Sequence, residues 1–424
     1  MASQTFRSLR ERNARVFFLG LLVSNIGSWL QLTAMSLLVY RITGKATDVG
    51  LIIATQFLPT LLLGAWAGAV ADRVNRRKMT LITQALLAAQ ALVLGLLDLT
   101  GHINLPVIYL LSIAVGTINA LDNPARRGFV TELVDPIDIP NAMSLNTAVM
   151  TGSRIFGPAL AAVLVTHIGT GWCFIFNAVS FFAILVALMS IDLSRLRPVV
   201  TARRGGTPVR DALRLIRGNS RLLLVFVVLT VVSTFAFNYS VSLVRLADTR
   251  FGNRDYFGWL LASVSVGSLI GSLRTAKLQV VSLRYLLINT ALLGVSGVAL
   301  SWSPNIVAAL LMSIPMGIGG AAFISATNSI AQQECPPEMR SRLLALMAVA
   351  FLGSTPIGSP ITGLIADHVS AEWSLGFGSL VTLACVGVAW FVLARSRNAG
   401  ADGPHFQRDD PTLDHVVPAR PAPR

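Results

Sequence analysis

Three sets of charged side chains stand where charge is costly, and each limits the chemistry open to this chain. The first closes an apolar run: Gly64 to Lys78 reads GAWAGAVADRVNRRK, so Asp72 meets Arg73, Arg76, Arg77 and Lys78 before apolar sequence resumes at Met79. A carboxylate there can pair with a guanidinium or meet the positive end of another helix. That suits a latch between moving parts, and Gly64 and Gly68, one turn apart, would let a neighbouring helix come close. The second set is Asp122 with Arg126 and Arg127. A buried carboxylate beside arginines can carry a proton or simply hold a structural ion pair. The third is Arg154, inside an apolar run. Arginine at the centre of a membrane helix costs about 3 kcal/mol or more unless it finds carboxylate, carbonyls or water. It must face an interior, with Asp122, Asp72 or helix-end carbonyls as partners, as a gating charge or a static salt bridge.

Other reactive types are sparse. Cys173, Cys335 and Cys385 are far apart in sequence and read as free thiols. His102, His167 and His368 fall at ends of apolar runs with no second ligand at i+4, so no metal site is expected. No G-x-x-x-x-G-K loop is present, and no cofactor is expected. A membrane-embedded enzyme would gather carboxylates or histidines at one face, whereas Asp255, Asp367 and Glu372 are scattered.

The elements that position these charges are apolar helices. The chain of 424 residues is 54% hydrophobic and 13% charged, against about 25% charged in soluble domains. The expected fold is an all-α membrane protein. Apolar runs of spanning length fall near 16–42, 46–71, 79–100, 104–122, 140–168, 171–192, 222–247, 256–273, 284–302, 304–332, 342–367 and 373–394. The formal net charge of +14 forms no single patch, which argues against nucleic acid. The basic residues lie between the runs on alternate sides. By the positive-inside bias, both termini are expected in the cytoplasm and the chain in the cell (inner) membrane.

The basic stretch 193–221 divides the twelve runs into bundles 16–192 and 222–395, flanked by a cytoplasmic segment 1–15 and a disordered tail 396–424. The stretch serves as a tether or as a strip for anionic lipid headgroups. An internal repeat supports the division: Gly116–Gly169 aligns with Gly317–Ser370 at an offset of 201, placing Gly157 over Gly358.

The spacing Gly68, Asp72, Arg73, Arg76, Arg77 resembles the loop 2–3 signature of the major facilitator superfamily, with Asn75, a residue tolerant of left-handed turns, where the family has glycine. Asn123-Pro124-Ala125-Arg126, then Glu132-Leu133-Val134 and Asn141-Ala142, resemble the branch that holds the enterobactin exporter and multidrug efflux proteins, the transmembrane secretion effectors. Trp29-Leu30-Gln31, Gln56-Phe57-Leu58-Pro59 and Tyr256-Phe257-Gly258 agree with it. Gly157-Pro158, among small residues, resembles the fifth-helix motif of the family's antiporters, and reads as a gating hinge or as helix packing. The resemblance implies two pseudo-symmetric six-helix bundles and no enzyme. It also implies secondary active export of a small amphipathic molecule, a drug or siderophore-like compound, by alternating access. Proton antiport is implied by the resemblance alone, because Ser28 follows Gly27 where many relatives carry aspartate. Lipid or lysophospholipid transport and facilitated diffusion are the alternatives, and the chain is expected to act as a monomer among membrane lipids.

Polar and aromatic residues on apolar helices mark the expected cavity: Ser28 and Gln31, Gln56 and Phe57, Asn119, Asn146, Phe235 with Asn238 and Tyr239, and Asn328.

Overall fold

The computed structural model describes residues 7–71, 73–197, 208–278, 280–336 and 339–398. Asp72, the middle of the basic stretch and the tail from 399 lie outside the described residues. The described residues form helices without strands. α1 is Arg12–Thr43, α2 Ala46–Ala71, α3 Arg76–Leu99 and α4 Leu105–Val130. Ile139–Met189 is one helical stretch broken at Gly169, where φ of 84° leaves the helical region; its arms are α5 (139–168) and α6 (170–189). α7 comes in two segments, Ser220–Phe235 and Tyr239–Thr249. α8 is Tyr256–Ala276, α9 Leu283–Ser301 and α10 Ile306–Gln333. α11 also has two segments, Arg340–Gly353 and Thr355–His368, and α12 is Ala371–Asn398.

Eleven of these helical stretches are long and apolar enough to cross a membrane. The Gly169 break makes one of them a double crossing. At about 1.5 Å per residue, 51 residues would extend to about 75 Å, far beyond a bilayer core of about 30 Å. The packing on α1 shows the reversal. Asn141 at the start of α5 accepts from Ser8, and Asn13 bonds the backbone of Asp192 just beyond α6, so both arms have their outer ends beside the start of α1. The chain is therefore a multi-pass membrane protein of twelve crossings.

Helix neighbours repeat at an interval of six. α1 packs on α6 and α7 on α12; α2 packs on α4 and α8 on α10; α3 packs on α6 and α9 on α12. The aligned glycines follow the same rule. A methyl at Gly157 would stand 2.4 Å from Trp29 Cβ on α1, and one at Gly358 1.8 Å from the Thr234 carbonyl on α7. The two six-helix halves meet along two seams, α2 against α11 and α5 against α8. The helix ends beside Arg12 also carry Arg76, Arg77, Arg126, Arg127 and Arg221; this is the basic face, and the opposite end is the far face.

Of the basic stretch, Pro208–Gly218 is a helix that runs to the start of α7. Asn75 does not take a left-handed turn. Its φ is −65° and its side chain accepts from the Lys78 N–H, capping α3. An N-cap needs extended backbone and a short acceptor, and asparagine supplies both.

Candidate functional site

A cavity runs from mid-depth between the halves to the basic face. Its deep part, about 1350 Å³ of open space, is lined by both halves: Trp29, Thr33, Phe57, Arg154 and Pro158 from one, Phe237, Asn238, Tyr239, Ser265 and Phe351 from the other. Its outer part, about 1800 Å³ with its mouth, runs past Ser28, Gln31, Gln56, Asn119 and Gln90 to Asn123, Arg126 and Arg127 at the basic end of α4. Most of the wall is apolar, with polar groups at intervals, which suits a ligand with both characters.

Arg154 sits at the floor without Asp122. Its guanidinium carbon lies 5.1 Å from the Trp29 ring centroid, 4.9 Å from Phe351 and 5.9 Å from Phe237. Three rings from both halves thus surround one cation, each within cation–π range. Asp122 is committed elsewhere: its Oδ2 lies 2.9 Å from Arg126 Nε, and its Oδ1 accepts from Thr83 (2.7 Å) and Gln84 (3.0 Å). It is 0% exposed, and no other described carboxylate is fully buried. A second buried layer joins Asn177 to Gln31 (2.8 Å) and Gln31 to Gln90 (3.1 Å).

The far face is shut. Tyr40 on α1 donates to Asp248 on α7 (2.8 Å), and Arg245 reaches Tyr40 Oη and the Gly44 carbonyl. Asp367 on α11 accepts from the Ala46 and Thr47 N–H groups and the Thr47 hydroxyl, capping α2 from across the seam. Among the described residues every hydrogen bond between the halves belongs to this cluster. Glycines along the seams agree. A methyl at Gly50 would stand 2.3 Å from the Ser359 carbonyl on α11, and one at Gly258 2.8 Å from Ala162 Cα on α5. Nearer the basic face, Gly64, Gly68 and Gly152 have no described atom within 4 Å of such a methyl. Both seams are closed at the far face and splayed at the basic face.

A family model described as transmembrane secretion effector matches residues 3–423. The chain belongs to that family. It is a branch of the major facilitator superfamily and is not an enzyme. The chain is 22% identical over 390 residues to the staphyloferrin A transporter of Staphylococcus aureus, covering 89% of this chain and 96% of that one. It is 23% identical to the multidrug efflux pump Tap of Mycolicibacterium fortuitum, covering 82% and 87%. With the enterobactin exporter EntS of Shigella flexneri it shares 24% over 87% of this chain and 89% of that one. Its fold is shared with a bacterial homologue of the lysosomal transporter Spinster in an inward-facing, unoccupied conformation (TM-score 0.67, 14% identity, 92% of this chain, 99% of that one). The nucleoside transporter NupG is similar too (TM-score 0.65, 12% identity, 91% and 98%).

Ser28, Gln31, Gln56, Phe57, Asn119, Asn238 and Tyr239 line the cavity, as do Arg126, Arg154 and Pro158. Three expected lining residues do not. Asn146 is buried at 7% exposure outside either lining, and Asn328, one turn beyond Ser325 of the deep wall, is in neither lining. Phe235 stacks edge-on against Phe377 of α12, 5.7 Å between centroids. The break in α7 after Phe235 resets the helical phase, so Phe235 no longer shares a face with Asn238 and Tyr239. Gly68 has no close helix neighbour, because the seam it belongs to is open. Arg73 is exposed; Arg76 pairs with Glu132 at 3.1 Å, and Arg77 donates to the Leu188 carbonyl at 2.9 Å, both inside the first half. Gly157 is packed against α1. Neither the cage of Trp29, Phe237 and Phe351 nor the Tyr40–Arg245–Asp248–Asp367 closure is marked in the sequence. Apolar surroundings hide aromatic walls, and residues so far apart in the chain gave no spacing signal.

Proposed function

We propose that this protein exports a small amphipathic molecule across the cytoplasmic membrane by alternating access, with the basic face in the cytoplasm and protons as the counter-ion. The observation that carries the reading is a mid-depth cavity built from both halves, sealed at one face by cross-half hydrogen bonds and open at the other. A cavity of this form loads from one side and unloads from the other when its halves rock. The positive-inside bias supports the orientation, and the Spinster homologue of like fold is described in an inward-facing state. Names of the relatives, a siderophore transporter, a siderophore exporter and a multidrug pump, support export of drug- or siderophore-like molecules.

Bundles 16–192 and 222–395 are the moving bodies, with 193–221 as their tether. Gly64 and Gly68 are the surfaces that close on α11 when the basic face shuts. Asp72, Arg73, Arg76 and Arg77 hold that closed state, and Gly157-Pro158 guides α5 against α1. Asp122 is the proton carrier: protonation weakens its hold on Arg126, which lines the cavity, so proton and ligand occupancy become linked. The test is ligand accumulation in cells expressing the protein. Export lowers accumulation, and a protonophore restores it; accumulation untouched by either condition contradicts the reading.

A further inference from the structure

Charge in the cavity is one-sided. Arg126, Arg127 and Arg154 line it, and no aspartate or glutamate does among the described residues. Asp122 neutralises Arg126 from behind the wall. Two cations remain, Arg127 at the mouth and Arg154 at the floor. Among the described residues nothing anionic meets the Arg154 guanidinium, which is held by the faces of Trp29, Phe237 and Phe351. Ring faces satisfy the cation's charge in part but accept no N–H bonds in the guanidinium plane, so its donor edge stays available for a bidentate partner.

We infer that the cavity selects an amphipathic anion, an aryl or alkyl carboxylate or a comparable oxyanion, whose charged end docks on Arg154 between the aromatic rings. Arg127 draws it in from the mouth. A lipophilic cation of equal size meets two like charges and, among the described residues, no carboxylate, and is disfavoured. This inference rests on the transport reading and names its substrate class.

Fluorescein and rhodamine 6G, xanthene dyes of similar size and opposite charge, test it. Binding to the purified protein is followed by fluorescence anisotropy, and uptake is measured in proteoliposomes. Fluorescein is expected to bind at least tenfold more tightly than rhodamine 6G, less tightly as salt rises. Arg154→Gln is expected to weaken fluorescein tenfold or more without weakening rhodamine 6G, while Arg154→Lys retains part of the affinity. If Arg154→Gln aggregates on size exclusion, Arg127→Gln carries the test, with a threefold loss for fluorescein and a shallower salt dependence. Rhodamine 6G bound and moved as well as fluorescein, with both arginine variants unchanged, overturns the anion preference and leaves the transporter standing. Neither dye bound nor moved by the wild-type protein overturns both.

Discussion

Asp367→Ala removes the acceptor that caps α2 from across the seam. Three bonds end on that carboxylate, from Ala46 N at 3.0 Å and from Thr47 N and Oγ1 at 2.7 Å each, and Arg245 Nε lies 3.7 Å away. Hydrogen bonds to a charged group contribute roughly 1.5–3 kcal/mol apiece in a buried setting. The Asp367 side chain is 11% exposed, so water replaces part of what is lost, and a net figure of about 3–4 kcal/mol follows from the low end of that range. These contacts exist only while the far face is shut. Their loss therefore moves the balance of the two states toward far-face opening by about 10²–10³-fold, at about 1.4 kcal/mol per decade. Spin labels at His102 and Val369, exposed far-face sites on opposite halves, report the change by electron–electron double resonance after the three cysteines are replaced. The wild-type distribution should be short and single. Asp367→Ala should add a longer component as a major population, and Asp367→Asn, which keeps one carbonyl acceptor, should fall between. A folded Asp367→Ala protein with the wild-type distribution refutes the assignment of the far-face cluster as the closure.

Three further outcomes follow from the same geometry. Gly68→Leu places bulk on the splayed end of the α2 seam, so the basic face cannot shut: transport should fall more than tenfold with the far-face distance unchanged, and a normal rate would contradict the role given to that seam. Asp122→Asn leaves Arg126 buried without its counter-charge, at about 3–5 kcal/mol for a broken buried pair; thermal melting should drop and any ligand movement that survives should lose its response to a pH gradient. Glu132, just beyond α4, has its carboxyl held above the ordinary glutamate range by burial, against the lowering pull of Arg76. A raised folded-state pKa stabilises most below the unfolded value and loses that contribution as pH rises through the raised one. Melting curves across the acid range should show this decline in the wild type and not in Glu132→Gln.

Much of the architecture was legible because a bilayer admits few solutions. Twelve apolar runs bounded by arginines become twelve crossings, and the glycines aligned at an offset of 201 receive equivalent helices in the two halves. The cavity was legible where a polar residue interrupts an unbroken helix, as at Ser28, Gln31, Gln56 and Asn119. It was not where backbone geometry intervenes: the break after Phe235 turns that ring toward Phe377, and no hydropathy pattern announces it. Arg154 lines the cavity, in keeping with the cost of arginine inside an apolar run. Its surroundings were not read, since aromatic rings serve a cation as well as a carboxylate does and are common in apolar sequence. The far-face closure joins Tyr40, Asp248 and Asp367, single polar residues near helix ends, whose meeting depends on how the halves dock.

Alternating access through this cavity requires coupled movement of a ligand through the sealed far face. Purified protein reconstituted so that the basic face points outward, in vesicles with an acidic lumen, should accumulate fluorescein inside. Collapse of the pH gradient should abolish the accumulation, and Asp122→Asn should make it insensitive to the gradient. Absence of uptake at any gradient, by protein that binds the dye, would contradict alternating access through this cavity.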